Sequence, residues 1–385
     1  MCFNVDDMKK CVIISDSFKG TLTTFDIMRI FTKAVNDIFP SCEVISFPVA
    51  DGGEGTMEAF ASSIKGEIVE TPSFDSNFNE IKVSYLMSNN VAYMDVATCI
   101  YLATTKIKDP KITTSFGVGL MIKDAIEKGC NKIILGLGGS STNDAGCGLL
   151  SSLGVKFYDE NNNVFIPTGG KLDKVDHFDT TEFEKLLENV EIVGMCDVSN
   201  PLLYQNGASF VYAKQKGASE EDLAILDKKM EKFNQIVSKH FGKDYSSIPG
   251  SGAAGGIGYA ILSFLHGHLE KGISTMLEAI RFEEYLKDVD VIFTGEGNVD
   301  SQTLNGKVIS GIKEVASKYK IPIVVIAGGA DISSESIIDD ELKAIITTTR
   351  KPMEMKGIKP YSEEFYYTTA KNVLRLLKLG ESINN

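Results

Sequence analysis

The chain has 385 residues, of which 43% are hydrophobic, and this length allows two domains of ordinary size. Its formal net charge of −13, without any long basic run, argues against nucleic acid and against an anionic membrane as partners. No apolar run reaches the roughly 18 residues of a membrane span, no signal-peptide pattern opens the chain, and the seven cysteines form no CxxC pair. We therefore expect a cytoplasmic protein with reduced thiols. We also expect it to act on a small molecule and to be a monomer or homodimer.

The first part of the chain alternates strands with helices. The pattern predicts strands at Cys11–Ser15 and Glu43–Val49, each followed by a helix, at Phe25–Phe39 and Met57–Ser63. This β-α-β-α order predicts a parallel sheet with helices outside.

The pattern changes after residue 66. Short strands are predicted at Glu67–Thr71, Glu80–Met87 and Val91–Val96, with a hairpin turn at Ser88–Asn90 before the last of them. Such a run predicts antiparallel pairing and therefore a different domain.

The earlier pattern returns near Val289. Strands are predicted at 289–294, 321–327 and 342–347, and helices at 308–319 and 363–379. We predict an α/β fold in which residues 1–70 and 286–385 form one flavodoxin- or Rossmann-like domain with a parallel sheet. Residues 71–285 form a second α/β domain with a mixed sheet, inserted between the two halves of the first.

Six loops combine small residues with a carboxylate or hydroxyl, and five of them contain glycines. Ligands of open α/β sheets bind at the carboxyl ends of strands, glycine lets a ligand approach the backbone, and free N–H groups at a helix start suit an anion. Together the loops favour a phosphate or anion site. They are Asp16–Thr21, Asp51–Thr56, Gly136–Gly146, Asp197–Pro201, Gly250–Gly258 and Gly295–Lys307.

None of the four histidines lies in these loops, so proton transfer would fall to a carboxylate. Phosphoryl transfer fits this inventory, since it depends on positioning and charge stabilisation more than on covalent catalysis. The candidate binding residues are Asp16, Ser17, Asp51, Gly52, Gly53, Glu54, Gly138, Gly139, Ser140, Ser141, Thr142, Asn143, Asp144, Gly252, Gly255, Gly256, Gly295, Glu296, Gly297, Gln302 and Lys307.

Eight motifs occur in order along nearly the whole chain: DSFKGTL, ADGGEGT, TTSFG, GGSSTNDAG, NPL, QKGA, GSGAAGGIG and TGEG followed by D.QTL.GK. In this combination the chain resembles the glycerate kinases, in the bacterial branch with two α/β domains. The resemblance implies Mg²⁺-dependent transfer of the ATP γ-phosphate to D-glycerate, with 2-phosphoglycerate favoured over 3-phosphoglycerate.

We assign roles within this resemblance as hypotheses. Asp197 accepts the proton of the attacking hydroxyl. Lys19, with backbone amides of residues 138–142, neutralises phosphate charge. Glu296 or Asp300 helps to hold Mg²⁺.

The chain also departs from the family pattern. Asn298 stands where the family usually has arginine, Ser199 stands where it usually has aspartate, and no arginine lies in a matched loop. Two alternatives therefore stay open. The chain could phosphorylate a related small hydroxy or sugar acid, or it could bind a metabolite on the same scaffold without catalysis.

Overall fold

The computed structural model describes residues 8–49, 52–53, 55–300, 303, 308–351 and 353–384. The chain forms two compact units: a terminal unit, Met1–Ala50 with Ile273–Asn385, and a central unit, Asp51–Gly272. Both junctions lie earlier in the chain than the predicted ones, at 70/71 and 285/286. Strand Glu67–Phe74 pairs inside the central unit, and Ile273 lies against Gly311 of the terminal unit.

Strands and helices are numbered here in chain order within the described residues. The strands are β1 Lys10–Ser15, β2 Glu43–Pro48, β3 Glu67–Phe74, β4 Glu80–Ser88, β5 Val91–Asp95, β6 Lys132–Gly136, β7 Lys156–Tyr158, β8 Val164–Phe165, β9 His177–Asp179, β10 Glu191–Met195, β11 His268–Glu270, β12 Val291–Thr294, β13 Asn298–Val299, β14 Ile323–Ala327, β15 Gly329–Ala330 and β16 Leu342–Thr347. The helices are α1 Thr24–Ile38, α2 Thr56–Ser63, α3 Ala97–Ile100, α4 Phe116–Glu127, α5 Cys147–Ser152, α6 Thr181–Leu186, α7 Ala208–Tyr212, α8 Glu220–Phe241, α9 Ile257–Ser263, α10 Gly272–Ala279, α11 Val308–Tyr319, α12 Met355–Ile358 and α13 Ser362–Asn384.

The terminal unit is built on a parallel sheet with the strand order β16-β14-β12-β1-β2. Counted within this sheet, the order is the flavodoxin order 2-1-3-4-5. One face of the sheet packs against α1 and α13, where Phe31 meets Phe293 and Tyr366 meets Phe18. The predicted parallel sheet made from both ends of the chain is confirmed.

The central unit contains a six-stranded mixed sheet in the order β11-β10-β6-β5-β4-β3. Its strands β5, β6, β10 and β11 are parallel, whereas β3, β4 and β5 pair antiparallel. The predicted mixed sheet is confirmed. The predicted hairpin turn also forms. Asn89 and Asn90 both have positive φ, 48° and 65°, as a two-residue type I′ turn requires.

Side-chain caps fix the starts of helices α1 and α8. Thr23 with Asp26 forms a capping box at α1, and Ser219 with Asp222 forms another at α8. Gly242, with φ of 69°, ends α8. Among the described residues, no helix combines the length and apolar character that crossing a membrane requires.

The hairpin turn yields a stability prediction. Replacing Asn90 by glycine should raise the free energy of unfolding by up to about 1 kcal/mol, because glycine adopts positive φ without strain. Replacing Asn90 by valine should lower it by about 1–2 kcal/mol, because a β-branched residue is strained there. Urea unfolding of both variants measures the effect, and changes of the same sign would contradict the turn assignment.

Candidate active site

In the terminal unit, two predicted loops meet where the strand order reverses, between β1 and β12. The backbone N–H of Asp16 and the hydroxyl of Ser15 both donate to the carbonyl of Gly295, at 3.0 Å each. A Cβ atom on Gly297 would lie 3.6 Å from the backbone nitrogen of Lys19. The loops after β1 and β12 are therefore neighbours, at the place where open α/β sheets bind ligands.

The loop after β1 presents a lysine to solvent. Phe18 and Leu22 exchange backbone hydrogen bonds of 2.8 and 3.1 Å, which close a tight turn. Lys19 is exposed on this turn. Just before it, the Asp16 carboxylate accepts a hydrogen bond from the backbone N–H of Ser17 at 2.6 Å. The turn thus holds a cation beside a glycine loop.

Two carboxylates of the terminal unit lie on either side of one hydroxyl. Thr303 Oγ1 donates to Glu296, which is 6% exposed, and accepts from the backbone N–H of Asp300 at 3.0 Å. Thr303 Oγ1 also lies 3.5 Å from Asp300 Oδ1. Within the described residues, no group of three or more His, Cys, Asp or Glu side chains could hold a metal. A pair of carboxylates nevertheless fits Mg²⁺, which keeps several waters and also takes substrate phosphates.

In the central unit, a glycine loop crosses the carboxyl ends of β6 and β10. Leu137 N–H donates to the carbonyl of Met195 at 3.2 Å, and Gly138 N–H donates to that of Gly52 at 2.8 Å. The backbones approach so closely that a Cβ on Gly138 would lie 2.4 Å from the Cα of Gly53. Gly139 is exposed. Four other predicted site residues, Asp51, Glu54, Gln302 and Lys307, lie outside the described residues.

Asp197 is exposed two residues after β10. Its Oδ1 accepts a hydrogen bond from the backbone N–H of Gly272 at 2.8 Å, which orients the carboxylate. The loop that follows is fixed by Asn200, which accepts from the Tyr212 hydroxyl at 2.6 Å and donates to the carbonyl of Asn206 at 2.8 Å. Asp197 therefore lies on a loop whose conformation is fixed by hydrogen bonds.

Asp144 is completely buried and accepts four hydrogen bonds. The donors are the backbone N–H and hydroxyl of Ser115, both at 2.8 Å, and the backbone N–H groups of Gly146 and Gly148, at 3.2 and 3.3 Å. Burial raises the pKa of this carboxyl, and the hydrogen bonds oppose the rise. Because these donors lie at the starts of α4 and α5, we assign Asp144 to the framework of the site and not to ligand contact.

The three predicted glycines of the GSGAAGGIG segment, Gly252, Gly255 and Gly256, are all buried. A Cβ on Gly255 would lie 1.9 Å from the carbonyl oxygen of Thr142, and one on Gly252 would lie 2.2 Å from that of Pro201. This segment therefore packs backbone to backbone behind the loops that follow β6 and β10. We assign its glycines to close packing.

One polar residue of the central unit was absent from the sequence-based candidates. Lys216 is 2% exposed, and its Nζ donates to Ser140 Oγ at 3.0 Å and to the carbonyl of Thr142 at 2.7 Å. Burial lowers the pKa of this lysine to about 7, while the nearby charge of Asp144 opposes the shift. The sequence signal that could have identified this lysine was its place in the QKGA motif.

Comparison with known proteins shows the family of the chain. The family model described as "Glycerate kinase family" matches residues 11–378. The chain belongs to the glycerate kinase family. It is 35% identical to a glycerate kinase of Bacillus cereus, over 96% of this chain and 98% of the relative. It is 37% identical to the glycerate 2-kinase of Escherichia coli, over 83% and 85% of the two chains.

A solved structure extends the likeness to the fold. A protein of Salmonella typhimurium LT2 assigned as glycerate kinase 2 superposes with a TM-score of 0.84 at 32% identity, covering 98% of this chain and 100% of that one. The resemblance stated from the motifs is confirmed. With it, the chain is placed among kinases that act on an alcohol group.

The hydrogen bonds of Asp144 predict a large stability effect. Asp144→Asn should lower the free energy of unfolding by about 2–4 kcal/mol, because an amide NH₂ would face buried N–H and O–H donors. Urea unfolding measures this loss. The matched control is Asp159→Asn, since Asp159 accepts from two backbone N–H groups at 2.9 Å on an exposed turn. Equal losses in the two variants would contradict the framework role.

Proposed function

We propose that this chain catalyses transfer of the ATP γ-phosphate to a hydroxyl group of D-glycerate. The observation that carries the proposal is the family match over residues 11–378, which includes the described parts of the glycine and carboxylate loops. Loops of this composition suit phosphoryl transfer, because that reaction needs positioned cations, backbone amides and a proton acceptor.

Asp197 is the proposed proton acceptor. It is an exposed carboxylate close after the carboxyl end of β10, and the hydrogen bond from Gly272 N–H holds it in one orientation. A carboxylate so placed can accept the proton of a substrate hydroxyl while that oxygen attacks phosphorus. This role needs no histidine.

The terminal unit supplies the proposed phosphate and metal contacts. Lys19 offers an exposed ammonium group beside the Gly295–Gly297 loop, and an ammonium group suits phosphate oxygens. Glu296 and Asp300 are the proposed Mg²⁺ ligands, on the argument that carboxylates linked through Thr303 fit a hard cation. When bound, Mg²⁺ would neutralise charge on the transferred phosphate.

The proposed product is 2-phosphoglycerate. The support is the name of the Escherichia coli relative, glycerate 2-kinase, at 37% identity. Asn298 and Ser199 are both exposed. They are the positions at which a preference for another hydroxy acid would be sought.

Release of ADP from ATP with Mg²⁺ and D-glycerate tests the activity. We expect turnover of roughly 1–100 s⁻¹, as is usual for kinases, and complete loss when EDTA removes the metal. Phosphorus NMR of the product distinguishes 2-phosphoglycerate from 3-phosphoglycerate. ATP binding without ADP release, for D-glycerate and for a panel of other hydroxy acids, would instead favour a metabolite-binding protein.

The proton-acceptor role predicts a specific kinetic defect. Asp197→Asn should lower kcat by about 10²–10⁴-fold, because the amide cannot take the hydroxyl proton, while the KM for ATP changes little. The matched control is Glu191→Gln, at the opposite end of the same strand, where Glu191 is exposed and pairs with Lys132. Turnover of Asp197→Asn equal to that of this control would remove Asp197 from the role.

A further inference from the structure

Lys216 follows α7, and it is the only lysine that is buried among the described residues. Its backbone position is strongly constrained. Gly217 has φ of 103°, and a Cβ there would lie 1.9 Å from the carbonyl oxygen of Lys108. Ala218 N–H then donates to the carbonyl of Ala213 at 3.0 Å. The backbone conformation on the C-terminal side of Lys216 is therefore constrained, and the lysine side chain is held in a buried position.

The two hydrogen bonds of Lys216 set the direction of a hydroxyl group. A protonated amine can only donate, so Ser140 Oγ accepts from Lys216 Nζ at 3.0 Å. The proton of the Ser140 hydroxyl then points elsewhere and can be donated. Ser140 is 5% exposed and directly follows Gly139, which is exposed, so this buried hydroxyl lies next to the open part of the glycine loop.

The residues after Ser140 carry more buried polar atoms than the protein satisfies. Among the residues that the structure describes, Ser141 Oγ, Thr142 Oγ1 and Asn143 Oδ1 have no hydrogen-bond partner, and each residue is at most 1% exposed. Buried polar atoms without partners are costly and uncommon in folded proteins. The buried Lys216 ammonium group and these three atoms are all costly to the stability of the fold. Their occurrence together therefore points to a role in function.

We propose that Lys216 is a positioning residue, whose ammonium group fixes Ser140–Thr142 so that the Ser140 hydroxyl donates to an anionic oxygen of a substrate. The inference rests on the proposed function. The anionic oxygen belongs either to the carboxylate of D-glycerate or to a phosphate of ATP, and both are hydrogen-bond acceptors of the same kind.

The protonation of Lys216 makes this arrangement sensitive to pH. Asp144 is the charged group whose field reaches Lys216, and it favours the protonated lysine, whereas burial lowers the pKa to about 7. Above pH 7 the amine becomes neutral and can accept the Ser140 proton, which competes with the substrate. The KM of the substrate that contacts Ser140 should then rise by up to about tenfold per pH unit.

Steady-state kinetics from pH 6 to 9 on Lys216→Met tests the proposal. The expected result is a KM raised at least about tenfold for one substrate at pH 6, with kcat changed less, and a KM that no longer rises above pH 7. If the KM for D-glycerate changes, the contact is to the carboxylate, and if the KM for ATP changes, it is to a phosphate. The control is Lys214→Met, because the side chain of Lys214 is 66% exposed.

Unchanged KM values and an unchanged pH profile in Lys216→Met would overturn the proposal. If that variant does not fold, Ser140→Ala takes its place, since it removes the donated proton and leaves the lysine. A Ser140→Ala enzyme with the KM values and pH profile of the unmodified protein would overturn the proposal equally.

A measurement without turnover separates this proposal from the proposed function. The unfolded chain binds a proton at Lys216 up to about pH 10, whereas the folded chain releases it near pH 7. The stability of the unmodified protein relative to Lys216→Met should therefore rise between pH 7 and 10. A stability difference that stays constant over this range would mean that Lys216 keeps its proton, and it would overturn the pH dependence of the KM inferred above, whether or not the protein phosphorylates D-glycerate.

Discussion

The central unit depends on the convergence of four hydrogen bonds on one buried carboxylate. Asp144 accepts from donors at the starts of α4 and α5, so a single side chain sets where two helices begin. The glycine loop between β6 and Asp144 is therefore anchored at both ends, by a strand and by this carboxylate. Its exposed part, around Gly139, can then hold a fixed shape although glycine favours none.

Behind this loop, glycine serves packing more than ligand approach. The Gly250–Gly258 segment brings backbone against backbone at Thr142 and Pro201, distances that no side chain would allow. The Asn200 loop, with its bonds to Tyr212 and Asn206, is held in the same layer. The loops at the carboxyl ends of β6 and β10 are thus held rigidly because the glycines behind them, which have no side chain, allow close backbone packing.

The sequence predicted the sheets because their strands are long or their turns distinctive, as in the Asn89-Asn90 hairpin. It missed β7, β8 and β9, since strands of two or three residues show no period. Within the predicted site loops, the sequence could not tell the exposed Asp197 from the buried Asp144, because burial depends on tertiary contacts. The sequence did not identify Lys216 for the same reason, because a motif does not show whether its lysine is exposed or buried.

The strand order of the terminal unit has a consequence for how the protein is made. β1 pairs with β12 in its sheet, yet Ser15 and its partner Gly295 are 280 residues apart in the chain. A ribosome adding roughly 5–20 residues per second needs tens of seconds to supply β12. During that time β1 lacks its neighbour β12, while all strands of the central sheet have been synthesised. Such non-local pairing slows folding, so the nascent chain must keep the apolar CVII segment of β1 from aggregating until its far end arrives.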